Sequence, residues 1–411
     1  MRLVFWLSAV TIVYVYFGYP VLLAVWARLR PRPPIRTRDA AAPLPSVSIV
    51  IAARNEAARL PARIDNILAQ AYPADRLQVI VVSDGSTDHT SAVLATFGSA
   101  VETLAVPARG KAAALNAGVA RATGEFVAFA DARQMFAPDA IAELVAPFTD
   151  PTVGGVTGEL LLDCEAAEVP GRRRGGQRRT TSQARCHQDD QHPDRRATAD
   201  RRGRDVSTAA DGVGLYWRYE KHLRRLESAV GSTLGATGAI YALRRSLYRS
   251  LPEDTILDDV LTPMRTVLTG YRVIFSERAF AFDRVAPDVD TEWRRKIRTL
   301  AGNIQILGQE PRLLIPFVNP VWLQYLSHKV GRLLMPYALL ALFTASLVLA
   351  GESPVYAITL IGLCGLCLLG GYGAWLEGRT RRHAAAAPLA VASYQGHGSI
   401  TKPASEGMLN G

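Results

Sequence analysis

The sequence predicts an α/β protein, a doubly wound and largely parallel sheet with transmembrane helices at both ends. Three observations carry that prediction. A β-branched run at residues 79–84 (VIVVSD) stops at Asp84, and a Gly-Ser-Thr turn then leads to Asp88, which can cap a helix. Two similar runs flank it in the chain: residues 47–53 (VSIVIAA), followed by a helical pattern over 57–71, and residues 126–130, which end at Asp131. Apolar runs without charges occupy residues 3–27, 333–350 and 355–376, each long enough to cross a bilayer.

Strands that alternate with helices place their carboxyl ends on one edge, where open α/β sheets bind ligands. That edge should gather Asn55 and Glu56 after the first strand, Asp84 after the second and Asp131 after the third. Between the second and third strands, GKAAALNAG (110–118) reads as an alanine-rich helix start with Lys111 at its amino end. A carboxylate at Asp84 suits the donor groups of a ribose or a base edge better than a phosphate. Asn55 and Glu56 would line the base and ribose, or Glu56 would cap the first helix. Lys111 would approach the nucleotide or its sugar, or simply start a solvated helix. The pocket is of nucleotide type, but Ala105 stands where a P-loop needs its first glycine, so P-loop chemistry is not expected.

Six motifs in order carry a family resemblance: IAARNEA, VVSDGSTD, GKAAALNAG, FADARQMF, LDDV at 257–260 and WRRKIRTLAGN at 293–303. Together they resemble the inverting family 2 glycosyltransferases of GT-A fold, of the cellulose, hyaluronan and poly-N-acetylglucosamine synthase kind, which implies a Rossmann-like mixed sheet. The resemblance implies a nucleotide-diphospho-sugar donor, read as a UDP-sugar, and a glycan or lipid-linked acceptor. It implies Asp259 as the general base with Asp258 beside it; by itself the pair could equally cap the helix that follows. Arg298 takes the place of the arginine of a QxxRW motif, Arg295 replaces its glutamine and Thr299 its tryptophan. Arg294, Arg295 and Arg298 are therefore candidates for the diphosphate or acceptor, with a basic patch on lipid headgroups as the alternative. The lost tryptophan favours single addition over chain building. Gly238, in GATGAIY at 235–241, falls in the expected acceptor loop.

The family's Asp-x-Asp is here Asp131-Ala132-Arg133. Either Asp131 holds Mg²⁺ or Mn²⁺ together with the diphosphate, or Arg133 supplies fixed positive charge and weakens the need for a metal.

Arginines crowd the stretch after residue 27, whereas Arg2 stands alone before the first apolar run. The positive-inside rule then puts the amino terminus outside and the catalytic domain in the cytoplasm, in a plasma-membrane protein. The expected organisation is a basic, proline-rich linker at 28–45 and a cytoplasmic domain at 46–310. An interfacial segment at 311–330 follows, then the two later spans and a tail at 377–411 without structure. Residues of about 165–210 read as a disordered insertion. From 170 to 205 there are eleven arginines against five aspartates, and no Val, Ile, Leu, Met or aromatic residue. An arm drawn to anionic lipid fits this better than one drawn to nucleic acid, because no aromatics are interleaved. A locally shifted reading frame would give the same composition. Cys364 and Cys367 form a C-x-x-C inside an apolar run, which favours helix packing over metal or redox chemistry. The alternative from another class is a membrane-anchored nucleotide-sugar sensor without catalysis.

Overall fold

The computed structural model describes residues 1–35, 43–162, 218–283 and 289–394. The arginine-rich stretch, Cys164, Cys186, part of the linker and residues 395–411 lie outside the described residues. The chain forms two compact units, Tyr14–Leu334 and a second made of Met1–Val13 with Met335–Gly411.

In the first unit the strands are β1 (Val47–Ala53), β2 (Leu77–Asp84), β3 (Glu102–Val106), β4 (Phe126–Asp131), β5 (Met135–Phe136), β6 (Val153–Leu162), β7 (Ile240–Arg244) and β8 (Arg272–Asp283). They make one sheet in the order β3-β2-β1-β4-β7-β6-β8-β5. Its first four strands are parallel, as the alternating pattern predicts. Beyond them the sheet is mixed, because β7 pairs antiparallel with β4 and with β6. The short β3 (ETLAV) has no run of buried residues; it lies at the sheet edge with alternating exposure, which gives a weak sequence signal.

The helices are α1 (Arg2–Val13), α2 (Tyr19–Leu29), α3 (Leu60–Leu68), α4 (Thr90–Ala95), α5 (Lys111–Arg121), α6 (Ala140–Val145), α7 (218–230), α8 (Asp258–Leu268), α9 (Val289–Gln309), α10 (Trp322–Gln324), α11 (Gly331–Leu349) and α12 (Pro354–Tyr394). Ile49 and Ile51 on one sheet face pack with Leu60, Ile64 and Ile67 of α3 and Ile141 of α6. On the other face Val50, Ile80 and Phe129 pack with Leu115 of α5 and with Leu261 and Met264 of α8. Burial on both faces is why the central strands read as unbroken apolar runs. Leu223 and Val230 of α7 bury against Tyr19 and Leu23 of α2.

Three helical stretches are long and apolar enough to cross a membrane: Arg2–Leu29, Trp322–Leu349 and Pro354–Gly373. They coincide with the three expected runs, except that the second begins upstream, at Trp322. The segment expected to be interfacial is thus a 3₁₀ turn at Pro311–Leu314 followed, from Trp322, by helix with a π-helical stretch at Tyr325–Val330. The expected unstructured tail differs too: α12 continues to Tyr394, through an alanine-rich sequence of high helix propensity. In the second unit Phe5 packs with Leu342, Leu349 and Tyr356, and Arg2 pairs with Glu352 at 2.6 Å. Cys364 and Cys367 are free and exposed on α12.

Candidate active site

The parallel register brings the ends of β1, β2 and β4 level, with Ala53 opposite Ser83 and Ala52 opposite Asp131. Because β7 runs the other way, Ile240 lies opposite Ala130, so the loop before β7 reaches that same edge. Helix α8 begins there with Asp258 and Asp259 in its first turn. Its N-cap is Leu257 and no side chain caps it, so neither aspartate is spent on capping. Their charges lie where the macrodipole favours anions.

Lys111, the first residue of α5, sits between two of the carboxylates. Its Nζ is 3.0 Å from Asp131 Oδ1 and 3.2 Å from Asp258 Oδ1. Burial works to lower its pKa, but Asp258, Asp131 and Asp259 outweigh that and hold the ammonium charged, above its usual range. Asp258 is buried and also accepts a hydrogen bond from the Tyr241 hydroxyl at 3.4 Å. Burial and the charge of Asp258 raise the Tyr241 phenol well above its ordinary value, so it stays a donor.

Asp259 is different. It is partly exposed, and its carboxylate takes no hydrogen bond or ion pair from the described residues. Burial and the neighbouring Asp258 push its pKa up to about 6, against the opposing charges of Lys111 and Lys329. Its main chain is held firmly. Pro263 sits four residues on and has no N–H to give the Asp259 carbonyl, which instead accepts from Ala236 N at 2.7 Å. That bond holds the loop before β7 against α8, and the loop comes close to the Asp259 side chain. A Cβ on Gly238 would lie 2.9 Å from Asp259 Oδ2. The small-residue loop at 235–241 thus lies against Asp259.

The remaining candidates have identifiable local partners. Asp84 is buried, and its carboxylate accepts from Arg109 N at 2.8 Å and from Gly110 N at 3.1 Å. Gly110 has φ of 97°, so the tie fixes a left-handed turn that launches α5 and Lys111. Asn55, itself at φ 56°, accepts from Thr87 N at 2.8 Å, which joins the loop after β1 to the loop after β2. Glu56 pairs with Arg59 at 2.7 Å, and its N–H donates to Thr90 Oγ1; it does not cap α3, whose N-cap is Arg59. Arg133 pairs with Asp283 at 2.7 Å, so its charge is balanced at the end of β8.

Helix α9 lies over the segment that leads into α8. Gln305 accepts from Ile256 N at 2.9 Å, and a Cβ on Gly302 would be 2.5 Å from Leu257. Arg298 donates to the Ile256 carbonyl at 3.3 Å, three residues before Asp259. Arg294 and Arg295 are exposed on the preceding turn. The structure therefore brings Arg298 against the segment that leads into α8.

No three His, Cys, Asp or Glu side chains converge among the described residues as a ready metal cage. Asp131 nevertheless keeps one oxygen: Lys111 takes Oδ1, Oδ2 has no partner among the described residues, and the side chain is 36% exposed. One carboxylate oxygen fits a hard divalent cation whose other ligands are substrate phosphates and water.

Sequence reasoning missed two participants. Arg63, wholly buried, donates Nε to the Asp131 carbonyl at 3.1 Å and stacks on Phe136; burial pushes its pKa down to about 9, with Asp131 opposing. In the sequence it is one basic residue in an amphipathic pattern. Tyr241 stands in the sequence only as the end of the loop motif at 235–241.

Two family domains match the chain: Glycosyl transferase family 2 over residues 48–205 and Glycosyl transferase family group 2 over residues 198–374. The beta-monoglucosyldiacylglycerol synthase of Synechocystis sp. is 32% identical over 152 residues, 35% of this chain and 32% of that protein. The poly-beta-1,6-N-acetyl-D-glucosamine synthase of Staphylococcus epidermidis is 21% identical over 268 residues, 64% of this chain and 55% of that one. The chain thus matches about a third and about half, respectively, of these two relatives' lengths. A solved mannosyltransferase from Pyrobaculum calidifontis shares the fold, with a TM-score of 0.61 and 24% identity over 90% of this chain and 94% of that one. With the motif order, the mixed sheet and the acidic pair at its edge, these matches make the chain a member of the family 2 glycosyltransferases of GT-A fold.

Proposed function

We propose that the enzyme moves a hexose or N-acetylated hexosamine, with inversion, from a UDP-sugar to a glycan or lipid-linked acceptor at the cytoplasmic face of the membrane. The observation that carries this is the contrast within the acidic pair. Asp258 is tied to Lys111 and Tyr241, whereas Asp259 is a free carboxylate at the mouth of the site. Asp259 takes the proton from the acceptor hydroxyl as its oxygen attacks the anomeric carbon. The bond from that carbon to the phosphate oxygen breaks, and the nucleoside diphosphate leaves with the electron pair. A positioned base is worth about 10²- to 10⁴-fold in rate.

The loops after β1 and β2, with Asn55, Glu56 and the turn held by Asp84, form the wall for the base and ribose. Lys111 and Arg298 meet the diphosphate, with Arg294 and Arg295 on the adjoining turn. Asp131 would hold Mg²⁺ or Mn²⁺ together with the diphosphate, and the ion would help to neutralise the leaving group's charge. The pairing of Arg133 with Asp283 supports this reading over one in which Arg133 replaces the metal. The apolar stretches support an integral membrane protein, and the arginines after residue 27 support a cytoplasmic site.

Membranes that contain the protein, given a panel of UDP- and GDP-sugars with Mn²⁺, should release nucleoside diphosphate from one donor. Asp259→Asn should lower that release at least about 100-fold, and excess EDTA should abolish it. Release unchanged in Asp259→Asn would overturn the role of the base, and release unaffected by EDTA would overturn the metal. Donor binding without any release would point to the sensor instead.

A further inference from the structure

Helix α3 carries an arginine on the face that it buries. In LPARIDNIL, Leu60, Ile64 and Ile67 pack under the sheet, and Arg63 lies among them with no exposed surface. Its guanidinium reaches the turn that joins β4 to β5. Nε donates to the Asp131 carbonyl at 3.1 Å, Nη1 donates to Asn66 Oδ1 at 2.8 Å, and Cζ lies 4.0 Å over the centre of the Phe136 ring. Asn66, one helical turn on, accepts from Phe136 N at 2.8 Å and donates to the Phe136 carbonyl at 2.9 Å. Both ends of the turn that carries Asp131 and Arg133 are therefore tied to one helix face.

A clamp of this kind needs no charge. Asn66 holds Phe136 with a neutral amide, and a glutamine at position 63 could donate to the Asp131 carbonyl as well. Arg63 nevertheless buries a full charge that pairs with no carboxylate among the described residues, and its Nη2 has no hydrogen-bond partner there. Such a charge is costly to bury unless charge of opposite sign is set against it. Asp131, the residue whose carbonyl it holds, shares Lys111 with Asp258, at 3.0 and 3.2 Å. Two carboxylates thus share one ammonium, and by themselves they would repel a diphosphate. A second positive charge, shielded from water behind Asp131, makes that edge receptive to an anion.

We propose that Arg63 is a positioning residue for the donor's diphosphate. Its hydrogen bonds fix the main chain of Asp131 and the turn that follows, and its buried charge offsets the carboxylates, so that the anion can settle there. Being wholly buried, it acts through Asp131 and not by contact with the donor. This rests on the proposed donor site and adds to it a residue that lies outside every motif of the sequence.

The test uses the full chain in detergent micelles and measures the binding of UDP, with GDP in parallel, by calorimetry with and without Mn²⁺. Two variants divide the roles. Arg63→Gln keeps a donor for the Asp131 carbonyl and loses the charge, whereas Arg63→Lys keeps the charge and loses the fork. Arg63→Gln should weaken nucleoside-diphosphate binding roughly tenfold or more in both conditions, the order expected for a unit charge acting across a buried site. Arg63→Lys should retain most of the affinity. The reverse order, equal losses in the two variants, or unchanged binding in Arg63→Gln would overturn the assignment. So would failure of both variants to give a cooperative melting transition, which would leave Arg63 a core residue only. Asp131→Asn tests the donor site beneath this inference and should weaken binding only when Mn²⁺ is present. If Asp131→Asn binds like the wild type in Mn²⁺, the donor-site reading fails and this inference falls with it. A loss in Asp131→Asn beside unchanged binding in Arg63→Gln sinks this inference alone.

Discussion

Asp259 and Asp258 are neighbours of the same type, and their environments give them different work. Asp258 is buried against Lys111 and Tyr241, whereas the Asp259 carboxylate has no bonded partner among the described residues, which is what the proposed base needs. Burial and Asp258 push the Asp259 pKa up to about 6, and in the proposed role of base the reactive form is the ionised one. The rate must therefore rise with pH through about 6 and level off above it. Below that midpoint it should fall about tenfold per unit, as one group titrates. A pH profile of nucleoside-diphosphate release in the wild type checks this; a flat rate between pH 5 and 8 would remove Asp259 from the chemistry.

At the scale of elements, the site depends on two backbone devices. Pro263 leaves the Asp259 carbonyl free for Ala236, which clamps the loop before β7 onto α8. Asp84 gathers the N–H groups of Arg109 and Gly110, which sets the turn from β3 into α5. In Asp84→Ala two N–H groups lose their acceptor in a buried place, at a cost of about 1–3 kcal/mol. Thermal unfolding should drop by roughly 2–4 °C per kcal/mol, and donor KM should rise, because Lys111 follows that turn directly. A variant with unchanged melting temperature and a raised donor KM would instead make Asp84 a direct ligand of the nucleotide.

For the whole molecule, the arginine distribution and the three apolar stretches make one prediction about orientation. In a cysteine-free background, Leu3→Cys should react with a membrane-impermeant thiol reagent on intact cells. Ser250→Cys, in the catalytic unit, should react only after lysis. Labelling of Ser250→Cys on intact cells would place the enzyme on the outer face and exclude a cytoplasmic donor pool.

The sequence by itself determined the parallel half of the sheet, the apolar stretches and the position of Asp84, Lys111, Asp131 and the acidic pair at one edge. Those are legible because β-branched runs, glycine turns and charge-free stretches act over a few residues, and motif order carries the family. The antiparallel insertion of β7 escaped it, since strand direction is set by pairing between distant segments. So did the division of labour between Asp258 and Asp259, the tying of Arg133 to Asp283, and the holding of Asp131 by Arg63. Only tertiary structure decides such matters, because the charge and availability of a side chain depend on which partners and how much water surround it once the chain has closed.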